Sequence, residues 1–344
     1  MPALPDTILI TGAAGWLGTN LLHGLADAPA SRAERLVRCL VLPGEHVSAP
    51  PGLHVEEVVG NIADAATLPA FARGAEGGVL FHLAGVIHPR RVSDFYTVNY
   101  EGAVNVMNAA RAAGVGRAVM VSSNSPFGAN ASPAHVFDER SPYHPYLNYG
   151  RSKMLMEQAV LAANQPGRFE TVIVRPPWYY GPHQPPRQTL FFQMVRRGGV
   201  PVFGDGENRR SMAYTGNVVD AMLLAATVPA AAGQAYWVGD VRPYPMREVV
   251  ETIERLLTTE FGRPCKGRQM KLPHAAAATA RMVDAAMQRV GLYQQKIHVL
   301  GEMDETIACS VEKAQRELGY APSIALEEGM RRSIRWCLDA GQEI

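Results

Sequence analysis

The chain has 344 residues, with 33 Lys+Arg against 32 Asp+Glu and a formal net charge of +1. That length holds roughly two domains at about 150 residues each, and 47% hydrophobic with 19% charged residues excludes a disordered chain, which needs low hydrophobicity and high net charge. The balanced charge lacks the basic footprint of a nucleic-acid binder. Cys39, Cys265, Cys309 and Cys337 form no C-x-x-C pair and no zinc-ligand spacing, so neither a disulfide scaffold nor a metal site is indicated and a reducing compartment is expected.

The first apolar run, TILIT (Thr7 to Thr11), starts too near the N-terminus to leave room for a signal peptide. No stretch reaches the roughly 18 consecutive apolar residues of a membrane span. A soluble, cytoplasmic protein without membrane binding is therefore expected. TILIT runs into Gly12-Ala13-Ala14-Gly15-Trp16-Leu17-Gly18 and a helix from Trp16 to Ala26. Glycines suit such a turn, because the backbone must approach a pyrophosphate closely and the helix N-terminus must offer it free N–H groups.

The next strand, VRCLVL (Val37 to Leu42), ends on Leu42-Pro43-Gly44, where a dinucleotide site often carries an acid for the adenosine ribose. With neither that acid nor an arginine for a 2′-phosphate, the choice between NAD and NADP stays open. Arg38 reads as a structural group. VEEVV (Val55 to Val59) follows, then Asn61-Ile62, which could flank an adenine. GVLFHL (Gly78 to Leu83), a helix from Asn99 to Ala113, RAVMVSS (Arg117 to Ser123), a helix from Gly150 to Asn164 and ETVIVR (Glu170 to Arg175) complete an alternating series. Apolar strands separated by helices imply a doubly wound parallel α/β sheet covered on both faces.

After Arg175 the texture changes to RPPWYYGPHQPPRQ, an irregular proline- and aromatic-rich loop. A helix (Asn217 to Thr227) and strand (Gln234 to Gly239) are expected to return to the sheet. Helices over Met246 to Glu260, Ala275 to Val290 and Leu326 to Ala340 follow. The expected division is a dinucleotide-binding domain over 1–175 with 213–240 returning to it, and a smaller interleaved substrate lobe over 176–212 and 241–344.

The strongest chemical signal is Tyr149-Gly150-Arg151-Ser152-Lys153. An i, i+4 pair shares one helical face, where an ammonium can stabilise phenolate and lower the tyrosine pKa toward proton exchange with an alcohol. Ser123, 26 residues earlier, ends a strand at the edge where such sheets bind ligands, placed to orient the substrate oxygen.

These features resemble the extended short-chain dehydrogenase/reductases, the NAD-dependent epimerase/dehydratase group, over nearly the whole chain. The resemblance is carried by TGAAGWLG, FHLAG (Phe81 to Gly85), VNYEGAVNV (Val98 to Val106), VSSNSPFG (Val121 to Gly128), YGRSK, RPPWYYGP, GDGENRR and ELGYAPSIALEEGMRRSIRW, in the family's order. It implies a Rossmann fold, Tyr149 as acid/base, Lys153 on the nicotinamide ribose and Ser123 on the reacting oxygen. It also implies NAD, with NADP not excluded, bound along Gly12, Gly15, Trp16, Leu17, Gly18, Leu42, Asn61, Ile62, Leu83, Ala84, Gly85 and Pro176.

Asn124 and Ser125 stand where the sugar-nucleotide 4,6-dehydratases and the related decarboxylase carry acids, which disfavours dehydration. Net hydride transfer on a secondary alcohol or ketone leads, ahead of a nucleotide-sugar 4-epimerase with tightly bound NAD. Trp178 departs from the epimerase pattern, whereas Arg210 matches an arginine that contacts the diphosphate. A cofactor-sensing protein without catalysis is the third reading. His88, Asn124, Trp178, Arg187 and Arg210 are the candidate substrate-binding residues beside Ser123. Asn99 could support the polar network. A homodimer is expected from the family's habit of packing the helix after Asn99 and the helix of Tyr149 against their symmetry mates.

Overall fold

A computed structural model describes residues 3–27 and 35–344. Seven parallel strands form the central sheet: β1 (Thr7–Thr11), β2 (Leu36–Val41), β3 (Val55–Val59), β4 (Val79–His82), β5 (Arg117–Val121), β6 (Glu170–Arg175) and β11 (Ala235–Trp237), the last numbered by its place in the chain. Their spatial order is β3-β2-β1-β4-β5-β6-β11. The chain winds outward in one direction from β1 and then in the other from β4. Between those two strands lies the crevice in which doubly wound sheets bind ligands.

The inner strands are mostly apolar because both faces are covered, whereas edge strand β3 (VEEVV) is largely exposed. On one face α1 (Trp16–Asp27), α7 (Thr215–Thr227) and α11 (Glu312–Leu318) bury Leu21, Leu22, Leu25, Val218, Met222, Ala314 and Leu318 against Ile8, Ile10 and Val172. On the other, α2 (Leu68–Ala72), α4 (Ala103–Ala112) and α5 (Leu147–Ala162) cover Leu9, Leu80, Met120 and Ile173 with Phe71, Val106, Met107, Met156 and Val160. At one edge of the sheet β11 pairs in parallel with β6. Part of the C-terminal third also packs here: Val311, Ala314, Leu318 and Tyr320 join the first core.

A third core gathers α6 (Pro186–Arg197), α8 (Met246–Arg255) and α12 (Leu326–Asp339) around Tyr180, Phe192, Val249, Ile253, Met330 and Ile334. Short strand pairs tie this lobe together: β7 (Trp178–Tyr180) with β10 (Met212–Tyr214), β8 (Pro201–Phe203) with β13 (Met270–Leu272), and β9 (Arg209–Arg210) with β12 (Tyr244–Pro245). α9 (His274–Arg289) and α10 (Gln295–Met303) form a helical hairpin whose buried face is polar, with Asp284, Gln288 and His298 inside. No helix among the described residues is long and apolar enough to cross a membrane.

Candidate active site

Gly12 leaves β1 at φ +76°, and a Cβ there would lie 2.7 Å from the Ala84 backbone nitrogen, so the turn after β1 and the loop after β4 touch. A Cβ on Gly18 would lie 2.2 Å from the Gly12 carbonyl oxygen, which sets the first turn of α1 directly on the glycine turn. The first four N–H groups of a helix lack intrahelical acceptors, so this cradle suits an anion. Thr11 Oγ1 and His82 Nδ1, 2.8 Å apart, join the ends of β1 and β4. Burial, helped by the Lys153 charge, pushes the His82 imidazole down to about 3.

The loop after β4 is held from the far side. The chain enters the region through α3 (Ser93–Tyr96) and a π turn over Thr97–Gly102, which displaces Asn99 from the expected regular helix. Such bulges are frequent at functional sites. Buried Asn99 accepts from the Val86 N–H at 2.8 Å and donates to the Val86 carbonyl at 2.9 Å. A Cβ on Gly85 would come 3.1 Å from Asn99 Oδ1 and 3.7 Å from Lys153 Nζ. Leu83, Ala84 and Gly85 are thereby fixed between the glycine turn and Lys153.

Tyr149 and Lys153 both lie on the first turns of α5, as their spacing requires. Lys153 Nζ donates to the Val121 carbonyl at 3.0 Å. The Lys153 side chain is buried, and that burial lowers its pKa to about 8, opposed by Glu157. The expected lowering of the tyrosine pKa is not what the structure shows. Dense enclosure pushes the Tyr149 phenol above its ordinary value, while Ser123 and Arg187 pull it back, although its ring keeps part of its surface accessible. Desolvation outweighs neighbouring positive charge here, so Tyr149 stands as a neutral phenol. That is the state able to donate a proton to a carbonyl oxygen. Ser123 Oγ accepts from the Ser125 N–H at 3.1 Å, and the neighbouring Ser122 Oγ is buried without a hydrogen-bond partner among the described residues.

The candidate residues are thus partly gathered and partly dispersed. Gly12 lies against Ala84, Gly85 lies against Lys153 Nζ, and Ser123 interacts with the Tyr149 phenol, with Asn124 next to Ser123 in the chain. Pro176 is buried just after β6. Leu17 is buried in the core, leaving its backbone to face a ligand. Trp16 packs on Tyr179 at 4.9 Å and donates from Nε1 to the Pro182 carbonyl at 2.7 Å. Asn61 and Ile62 have structural partners: Asn61 Oδ1 accepts from the Ala63 N–H at 2.9 Å, and Ile62 is buried with its carbonyl on Asn105 at 3.1 Å. Leu42 is exposed at the end of β2, where its N–H donates to Glu45 at 3.1 Å. Glu45, three residues beyond Leu42, is thereby folded back toward the end of β2. Arg38 is structural, donating to Glu56 at 2.8 Å and to the Phe71 carbonyl at 3.1 Å.

On the substrate side, Trp178 packs edge-on against Phe191 at 5.4 Å. Arg187, at the start of α6, is exposed and has no hydrogen-bond or ion-pair partner among the described residues. Its charge nevertheless acts on Tyr149, Tyr179 and His88. Arg210 is engaged internally, its guanidinium donating to the Glu302 carbonyl among Glu302, Asp304 and Glu305. His88 Nδ1 lies 2.7 Å from the Tyr293 hydroxyl. Tyr293 sits in the α9–α10 turn and meets Phe95 edge-on at 5.4 Å, and Phe95 in turn packs on Tyr149 at 5.8 Å. Neither Tyr293 nor Phe95 carried a local sequence signal.

A glycine turn between β1 and β4 of a parallel sheet, with a buried lysine beside the β4 loop, is the setting of an α/β oxidoreductase. The chain belongs to the NAD dependent epimerase/dehydratase family, whose pattern matches residues 8–239. It is 48% identical over 341 residues to the uncharacterized protein y4nL of Sinorhizobium fredii, covering 97% of this chain and 96% of that one. It is 30% identical over 358 residues to the 3 beta-hydroxysteroid dehydrogenase/Delta 5-->4-isomerase of Mycobacterium tuberculosis, covering 95% and 89%. Its fold is similar to that of DesIV, the dTDP-glucose 4,6-dehydratase of Streptomyces venezuelae solved with NAD and TYD bound, at TM-score 0.73 and 24% identity over 98% of this chain and 99% of that one.

Proposed function

We propose that this enzyme catalyses reversible hydride transfer between a nicotinamide dinucleotide and a secondary alcohol or ketone, with net oxidation or reduction of the substrate. What supports the reading is the run of contacts from Gly12 to Ala84, from Gly85 to Lys153 Nζ and from Ser123 to the Tyr149 phenol. A Cβ-free cradle at the N-terminus of α1 fits a pyrophosphate, and the 83–85 loop beside Lys153 fits a ribose. When bound, the cofactor supplies or accepts the hydride.

The chain's own residues do the rest. Ser123 donates to the reacting oxygen and holds it by Tyr149. Tyr149 gives its phenolic proton to that oxygen in reduction and takes it back in oxidation. The Lys153 charge, in a site that excludes water, stabilises the phenolate left behind. Asn99 keeps the loop over Lys153 from drifting. Glu45 at the end of β2 favours a ribose hydroxyl over a 2′-phosphate, so NAD is the expected form. A homodimer through the outer faces of α4 and α5 is expected, and a monomer mass by light scattering would contradict it.

The nucleotide-sugar 4-epimerase reading loses support from Arg210, whose guanidinium is engaged by Glu302. The test is to denature the purified protein, identify any released nicotinamide, and follow NADH absorbance with a panel of ketones. Net NADH consumption supports the proposal. Conversion of a nucleotide sugar without net change in NADH supports the epimerase instead.

A further inference from the structure

We infer that the outer face of the α9–α10 hairpin docks on an anionic lipid surface, whatever chemistry the candidate site performs. A surface helix ordinarily turns its apolar stripe to the core and its charges to water. α9 does the reverse. Its buried face carries Asp284 and Gln288 with Ala277 and Ala280. Asp284 Oδ1 accepts from Gln288 Nε2 at 3.0 Å, Asp284 Oδ2 lies 2.7 Å from His298 Nδ1 on α10, and Gln288 Oε1 accepts from Asn148 Nδ2 at 2.9 Å. These bonds hold the polar side of α9 against α10 and the start of α5. The rotation of α9 about its own axis is thereby set, and the opposite side faces outward.

That outward side presents Ala275, Met282, Val283, Ala286 and Val290, whose spacing puts them on one helical face, with Thr279 and Arg289 among them. Met282 is 67% exposed, Val283 42% and Val290 73%, and Leu292, in the turn toward α10, is 57% exposed. Apolar residues scattered singly over a surface are ordinary, but a continuous apolar stripe marks an interaction surface.

The charge around the stripe identifies what it meets. Residues 268–300 contain Arg268, Lys271, Arg281, Arg289 and Lys296 against Asp284 as the sole acid, a formal +4 where the whole chain carries +1. Arg268, Lys271, Arg289 and Lys296 are exposed and make no ion pair among the described residues. The acids nearest the hairpin are already engaged: Asp284 by His298 at 2.7 Å, Asp304 by His274 at 2.6 Å and Glu305 by Arg281 at 2.8 Å. An apolar stripe set among unpaired cations suits a helix lying in the headgroup region of an anionic bilayer. A second copy of this chain on the same face would instead bring like charges together. Such a helix rests on the membrane without crossing it, so the lack of a spanning helix has no bearing on it. The same hairpin carries Tyr293, which meets Phe95 beside Tyr149, and docking therefore sets one wall of the candidate site close to the lipid.

The test sediments the full-length protein with vesicles of phosphatidylcholine alone and of phosphatidylcholine mixed equally with phosphatidylserine. The expected result is binding to the mixed vesicles, weaker binding to phosphatidylcholine, and a loss of the difference as added salt screens the charges. Met282→Gln combined with Val290→Gln should weaken binding at least about tenfold, because the apolar area that enters the bilayer is lost. Arg289→Gln and Lys296→Gln should each weaken it about fivefold, matching about 1 kcal/mol per cation near an anionic surface. All four positions are exposed, and unchanged circular dichroism and melting would show that the variants fold. No binding to the mixed vesicles, equal binding to both kinds, or unchanged binding in the Met282→Gln, Val290→Gln protein would overturn the inference. An assembly of the wild type seen by light scattering and lost in that same variant, without vesicle binding, would overturn it too and give the face to a second copy.

Discussion

Lys153→Met should make the protein more stable while abolishing turnover. The ammonium is buried, and moving its pKa from 10.5 to about 8 corresponds to about 3 kcal/mol of unfavourable burial at about 1.4 kcal/mol per pH unit. Methionine has a similar length and no charge to desolvate. It leaves the Val121 carbonyl without its donor, which costs about 1 kcal/mol, so the net gain at pH 7 is about 2 kcal/mol. The pH dependence follows from linkage. Between about 8 and 10.5 the unfolded lysine holds its proton and the folded one has lost it. Wild-type stability therefore rises relative to the variant across that window, and the advantage of Lys153→Met, full below about pH 8, disappears by about pH 10.5. Urea denaturation of both proteins at pH 7 and pH 10 measures the difference directly. A variant less stable than wild type at pH 7, or a difference that does not narrow with pH, would refute the reasoning.

Gly12→Ala places a Cβ 2.7 Å from the Ala84 nitrogen at φ +76°, and should cost about 1–3 kcal/mol from overpacking together with most cofactor affinity; thermal melts and NADH fluorescence titration check both. Asn99→Ala removes both hydrogen bonds to the half-buried Val86 backbone, for about 1–3 kcal/mol of lost stability. The same variant should raise hydrogen exchange at Val86, and unchanged exchange there would show that the loop is held by something else.

The sheet was legible because most strands are apolar runs bounded by turn residues, and the observed strand limits differ from the read ones by one or two residues at most. The shared face of Tyr149 and Lys153 on α5 was legible from their four-residue spacing. Spacing fixes a shared face but not what the ammonium touches, so the direction of the Tyr149 shift was missed: desolvation depends on neighbours supplied by other elements. Glu45 was missed because a turn, Glu45 N–H to Leu42 carbonyl at 2.9 Å, folds it back to the strand end. His88 and Tyr293 are 205 residues apart, a separation at which no periodicity reports contact. Arg210 matched a family position, yet its partners come from α10, and only the tertiary structure shows them.

Under the proposed function, the Tyr149 phenol carries the proton exchanged with the substrate oxygen while the glycine cradle holds the cofactor independently of it. Turnover and cofactor affinity of Tyr149→Phe, measured side by side with wild type, test this most directly. The account predicts a fall in kcat of about 10²–10⁴, the usual contribution of a positioned acid/base, with the dissociation constant for NADH changed less than about threefold. Turnover close to wild type in Tyr149→Phe would contradict it.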